Sequence, residues 1–194
     1  MENIYSIIRK ITVAPILAAV MLITVWFSYS AVFGGSVAFA YSLFFLTVLP
    51  VMAYPMQKYI PGFKDRGREG QRSLAMIFAV AGYVFGCIAN LFFRSAKGLW
   101  VIYLEYLLSG ILIFLFNKIL HVKLSGHACG VIGPMMLLLY FKIYPAAVLS
   151  LAVAVLVYVS SLKTKRHTAG QLAGGSAVPV VVICILNLAL GGML

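Results

Sequence analysis

Apolar stretches of bilayer-spanning length, separated by short polar gaps, fix what this chain can fold into. A helical run of about 18 or more apolar residues matches the hydrocarbon thickness of a membrane, and such runs occupy most of the sequence. Spans are predicted at 11–29, 36–57, 73–93, 99–117, 128–141, 146–162 and 169–190. No stretch shows the short alternating pattern of a membrane strand. The expected fold class is all-α, a polytopic transmembrane bundle of about six to seven spans forming one integral-membrane domain. A hydrophobic share of 63% over 194 residues excludes an ordinary soluble domain.

Several local features qualify this layout. The apolar run after Met1–Lys10 is long enough to span and has no small-residue cleavage site, so it reads as a retained first helix. Pro50 and Pro55 are expected to kink the second span, and Pro134 to interrupt the short fifth one. Pro61-Gly62 marks a turn, and Gly67 and Gly70 favour a loop across 58–72. Gly82 and Gly86 have the spacing that permits close helix packing. Trp100, Tyr103 and Tyr106 read as interfacial anchors. Cys87, Cys129 and Cys184 are odd in number, have no metal-ligand spacing, and read as packing residues.

The charge is lopsided, with 15 Lys and Arg against 4 Asp and Glu and a net charge of +11. In a soluble protein this would suggest nucleic acid. Here the cations crowd interhelical gaps, so phosphate or anionic membrane lipid is the expected partner and nucleic acid is not. Counting spans puts the gaps at 58–72, 118–127 and 163–168 on one face, together with the N-terminus. That face holds 12 of the 15 cations: Arg9, Lys10, Lys58, Lys64, Arg66, Arg68, Arg72, Lys118, Lys123, Lys163, Lys165 and Arg166. The opposite face holds Arg94, Lys97 and Lys142. The positive-inside rule puts the crowded face in the cytoplasm.

Two of the gaps end in a histidine at the mouth of an apolar helix. Val122-Lys123-Leu124-Ser125-Gly126-His127 is one, and Lys163-Thr164-Lys165-Arg166-His167-Thr168-Ala169-Gly170-Gln171 is the other. Phosphoryl transfer can use such a pair. One neutral imidazole attacks phosphorus and the other, protonated, gives its proton to the leaving oxygen. Helix N-termini favour a bound phosphate. Gly126 lets the backbone approach an anion, Ser125 adds a hydroxyl, and the cations neutralise the equatorial oxygens. His121 reads as interfacial. Glu105, inside the fourth span, is costly there and needs a partner such as Arg94 or a tyrosine, or a transport role.

Ser125-Gly126-His127 resembles the Pro-Ser-Gly-His signature of the type 2 phosphatidic acid phosphatases, the integral-membrane lipid phosphate phosphatases. Their third signature, Ser-Arg-x5-His-x3-Asp, is similar to Ser160-Ser161-x5-His167-x3-Gln171. Their first, Lys-x6-Arg-Pro, is nearest to Lys64 with Arg72-Ser73. The resemblance covers about 58–194, and the Arg-His-Thr-x-x-Gln form is similar to small prokaryotic members, which implies a prokaryotic cell membrane. It implies His167 as nucleophile, His127 as acid, and Lys64, Arg72, Ser125 and Gly126 on the phosphate. Ser161 stands where the family has an arginine, a role Lys163, Lys165 or Arg166 would have to fill without its bidentate register. Gln171 stands where the family has an aspartate, and its oxygen can orient the histidine without stabilising the imidazolium by charge. The expected activity is metal- and cofactor-independent hydrolysis of a lipid phosphate or prenyl diphosphate through a phospho-histidine. The alternatives are a degenerate member that binds or moves anionic phospholipid, and a lipid phosphotransferase.

Overall fold

The computed structural model describes residues 4–190. Residues 1–3 of the N-terminal segment, and the side chains of Arg9 and Lys10, lie outside what is described. The chain runs through α1 (Ile4–Ile11), α2 (Ala14–Val32), α3 (Ser36–Tyr59), α4 (Gly67–Phe92), α5 (Lys97–Ile119), α6 (Gly126–Tyr140), α7 (Tyr144–Lys163) and α8 (Ala169–Ala189). There is no strand among the described residues. All of these except α1 and α6 are long and apolar enough to cross a membrane, which fits a multi-pass integral membrane protein. The bundle wears large apolar side chains on its outside, with Phe27 84% and Leu188 82% exposed. Water would not tolerate so continuous an apolar surface, and lipid does.

α6 is the helix around which the others gather. It packs on α2, α7 and α8, while α4 packs on α3 and α5, and α5 joins the two groups by packing on α8. α6 has 15 residues and its antiparallel neighbour α7 has 20. The turn between them is tight, so their shared ends are level. At 1.5 Å per residue, the start of α6 then lies about 7 Å below the end of α7. His127, in the first turn of α6, is half-buried.

The ends of the bundle alternate as span counting requires. At one end Gly34 approaches Ala96, and the Tyr41 hydroxyl bonds to Asn90 Oδ1 and Ser95 Oγ, both at 2.7 Å. At the other, Ser125 N donates to Gln171 O at 2.9 Å, and Ser160 Oγ donates to Tyr5 O at 2.8 Å.

Several expectations need correction. The first span does not begin at Ile11. The helix breaks at Thr12-Val13 and restarts at Ala14, because the Pro15 ring would meet the carbonyl of Ile11 in a continuous helix. The piece before the break is α1, with Ile4, Ile7, Ile8 and Ile11 at helical spacing. Ile8 packs against the cluster of Val131 and Val157. α4 begins at Gly67, so Gly70 is helical and buried and only the first part of 58–72 is a turn. α3 runs on through Pro50, as a kinked span would, just past a wide π turn at Phe44–Val48. That turn absorbs the lost N–H. α6 likewise runs through Pro134.

The close-packing glycines serve two partners rather than one. A Cβ on Gly82 would strike the Phe45 carbonyl of α3, and one on Gly86 would strike the Tyr103 ring of α5. Tyr103 and Tyr106 are not interfacial anchors, being 0% and 7% exposed and turned inward. Cys129 is buried and Cys87 half-buried, but Cys184 faces outward and does not pack the core.

Candidate functional site

The mouth of α6 is built by its own cap and by two clamps. Ser125 is the N-cap, and its Oγ accepts from Ala128 N at 3.2 Å. This satisfies one of the donors that a helix start leaves without a partner. Ser125 is fully enclosed, so the observed work of its hydroxyl is capping. Asn117 holds the preceding loop, its Oδ1 accepting Leu124 N at 2.6 Å and its Nδ2 donating to Leu124 O at 3.2 Å. The bond from Ser125 N to Gln171 O ties the same loop to the first turn of α8. Gly175 makes this possible, since a Cβ there would strike the Ser125 backbone. The two histidine gaps are thus joined directly, although some forty residues of chain separate them.

The mouth of α8 carries a reciprocal cap. Gln171 N donates to Thr168 Oγ1 at 3.3 Å, and Thr168 N donates to Gln171 Oε1 at 3.4 Å. The same Oε1 lies 3.1 Å from His167 Nδ1. An oxygen that accepts a backbone N–H accepts from the ring as well. His167 therefore carries its hydrogen on Nδ1, and its Nε2 is the basic nitrogen of the neutral ring.

His127 takes the opposite assignment. Thr12 Oγ1 gives its hydrogen to Ile8 O at 2.7 Å, so it stands as an acceptor toward His127 Nε2 at 3.4 Å. The hydrogen on that contact belongs to His127. Thr12 thus orients the His127 ring through Nε2, while His167 presents a lone pair at Nε2; leaving-group protonation needs the His127 ring in its doubly protonated form. Nothing in the sequence connects Thr12 with a histidine 115 positions away. The break at Pro15 and the amphipathic spacing of α1 were the available signals.

The other candidates are placed more loosely. Lys163 ends α7, and Arg166 lies in the connector that leads to His167, where its N–H bonds to Ser161 O at 3.1 Å. Both side chains are exposed. Ser161 itself is 0% exposed, and its Oγ has no hydrogen-bond partner among the described residues. Lys64 lies in the turn before α4 and Arg72 on its second turn, both exposed. Gly126 is exposed at the mouth of α6. His121 is exposed, in a left-handed turn with φ of 55°.

A cavity of about 710 Å³ separates α4 from α6 and is closed by α5. Met76 of α4, one turn beyond Arg72, and Gly126 of α6 both line it. Its floor is Glu105, whose partner is neither Arg94 nor a tyrosine but Ser109, one turn along α5, with Oγ donating to Oε1 at 3.0 Å. The cavity lies within the size range of small-molecule sites.

Compared with family models, curated proteins and solved structures, the chain matches none. The likeness to the lipid phosphate phosphatases rests on the short motifs at 64–73, 125–127 and 160–171 alone.

Proposed function

We propose that this chain is a membrane-embedded phosphatase acting on a lipid phosphate or prenyl diphosphate. The observation that carries the reading is the pairing of the two histidines. Their gaps are bonded through Ser125 and Gln171, and each ring is oriented by a neighbour, His167 by Gln171 and His127 by Thr12. In the reaction, His167 Nε2 attacks phosphorus and forms the N–P bond as the bond to the lipid oxygen breaks. His127, in its imidazolium form, gives a proton to that oxygen and becomes neutral, and the lipid alcohol, or the prenyl monophosphate, departs. Water then attacks phosphorus and passes a proton to His127. Phosphate leaves and both rings return to their starting states. Gly126 and the helix ends at α6 and α8 favour the anion. Lys163, Arg166, Arg72 and Lys64 supply positive charge. The excess of cations at this end favours a cytoplasmic active face in a prokaryotic cell membrane.

The test is phosphate release from phosphatidic acid and from a prenyl diphosphate by reconstituted protein in EDTA. His167→Ala should lose release by about 10³-fold or more, as removal of a nucleophile does, and phosphate from radiolabelled substrate should be trapped on wild type but not on the variant. Full release by His167→Ala would end the proposal.

A second reading is favoured by the third motif. Ser161 is enclosed, and Gln171 brings no negative charge to His167. A chain that binds or moves anionic phospholipid without cleaving it would need neither an arginine nor an aspartate there. Tight binding of phosphatidic acid with no phosphate release would select this reading.

A further inference from the structure

The floor of the cavity carries polar groups that the histidine chemistry leaves unused. Glu105 is 1% exposed, and its Oε2 has no hydrogen-bond partner among the described residues. Tyr106 is 7% exposed, and its hydroxyl likewise has none. Both line the cavity. The carboxyl is accommodated on purpose. A Cβ on Gly133 of α6 would come within 2.9 Å of Glu105 Oε1, so glycine there leaves the space that the carboxyl fills. Polar groups inside a membrane bundle are costly and are ordinarily paired. Two of them, in the wall of about 710 Å³ of mostly apolar space that Tyr83 and Ser109 also line, point to a ligand far larger than a water molecule.

The walls define the rest of that ligand. Ile77, Val84 and Phe114 line the cavity and are also 52%, 41% and 47% exposed on the outside of the bundle. The cavity therefore opens sideways, where the membrane would be, and admits an apolar molecule from the bilayer. A hydroxyl both donates and accepts. It can pair with a carboxyl oxygen whether that oxygen is ionised or protonated, and accept the tyrosine hydrogen at the same time. An ammonium group could not accept from the tyrosine, and a phosphate would confront the carboxyl.

We propose that this cavity is an intramembrane binding site for a long-chain lipid alcohol, with the alcohol's hydroxyl held between Glu105 and Tyr106. The site does not depend on the phosphatase reading. If that reading holds, an alcohol is also the class of product released from a lipid monophosphate.

The test uses the full chain in nanodiscs with two photoactivatable probes, a diacylglycerol and a long-chain prenol, each beside its O-acetyl ester. At least one alcohol should label peptides of α4 or α5 that line the cavity, with its ester labelling about tenfold less, the loss expected for one missing hydrogen bond and a buried group left unpaired. The alcohol that labels identifies the source. Tyr106→Phe, which keeps the ring, should lower labelling to the level of the ester. In wild type the unlabelled alcohol should compete and its unlabelled ester should not, a measurement that stands even where the variant fails to fold. His167→Ala should label as wild type does, which separates this site from the phosphatase. Equal labelling by alcohol and ester, labelling mapped outside the cavity, or a folded Tyr106→Phe that labels as wild type would overturn the proposal.

Discussion

Gln171 Oε1 stands 3.1 Å from His167 Nδ1 while belonging to the cap that starts α8. One side chain therefore sets the helix boundary and the tautomer of the candidate nucleophile. Gln171→Glu keeps the reach of both contacts and adds the charge that would stabilise an imidazolium. A negative charge in the first helical turn is itself worth about 0.3–1 kcal/mol. The expected outcome is faster phosphate release, by about tenfold or more, and a raised melting temperature. Gln171→Asp is one methylene shorter and should do less. Gln171→Leu loses the side-chain half of the cap, together with the tautomer, and should be the slowest of the series. A glutamate variant no faster than wild type would remove the argument that the missing charge limits this site.

Restoring the arginine of the third motif should fail. Ser161 is 0% exposed, so a guanidinium has no empty volume to enter and no acceptor waiting. Overpacking alone costs about 1–3 kcal/mol, and burying an unpaired charge adds several more. Ser161→Arg is expected to lower yield and melting temperature in detergent without gaining phosphate release. Ser161→Ala removes an unpaired hydroxyl and should be neutral or slightly stabilising.

Much of the bundle was legible in the sequence because hydropathy and turn chemistry are local. The spans, the shared face of the histidine gaps and the start of α6 follow from runs of apolar residues and the polar breaks between them. What stayed hidden is rotational. Hydropathy gives the axial position of Tyr103 and Tyr106 but not the direction they face, and both turned out to line the interior. The Arg-His-Thr-x-x-Gln form was visible, yet only the coordinates show that the Gln171 oxygen serves both a cap with Thr168 and His167. Thr12 reaches His127 through the fold of α1 onto α7, a contact between segments 115 residues apart that no local pattern encodes.

That contact makes a separable prediction. Thr12→Val keeps the shape of the side chain and removes the oxygen that orients the His127 ring through Nε2, leaving the acid less well aimed. If His127 protonates the leaving group, the loss matters most when the leaving oxygen is strongly basic. Hydrolysis of phosphatidic acid should slow by about tenfold, a fraction of the 10²–10⁴ that a whole general acid supplies. An aryl phosphate, whose phenolate leaves unaided, should be hydrolysed nearly as fast as by wild type. His127→Ala should show the same bias more strongly. Equal slowing on both substrates would assign Thr12 a packing role only.

The join between the histidine gaps depends on the missing side chain at Gly175. The Ser125 peptide lies where a Cβ would go, and Ser125 N bonds to Gln171 O one turn earlier on the same helix. Gly175→Ala must push the 120–125 loop away from α8 or shift the helix, and neither neighbour is a flexible side-chain tip. The strain is about 1–3 kcal/mol. Helix propensity, which favours alanine by about 1 kcal/mol, offsets only part of it. The variant should melt below wild type and release phosphate slowly from alkyl and aryl substrates alike, because both rings lose their relative position. Gly174→Ala, one residue away, is the control, since its Cβ would meet only the Leu124 side-chain tip, at 2.6 Å, and a rotamer change can relieve that. If Gly175→Ala matched this control in both melting temperature and rate, the bonded join would not be what positions the two histidines.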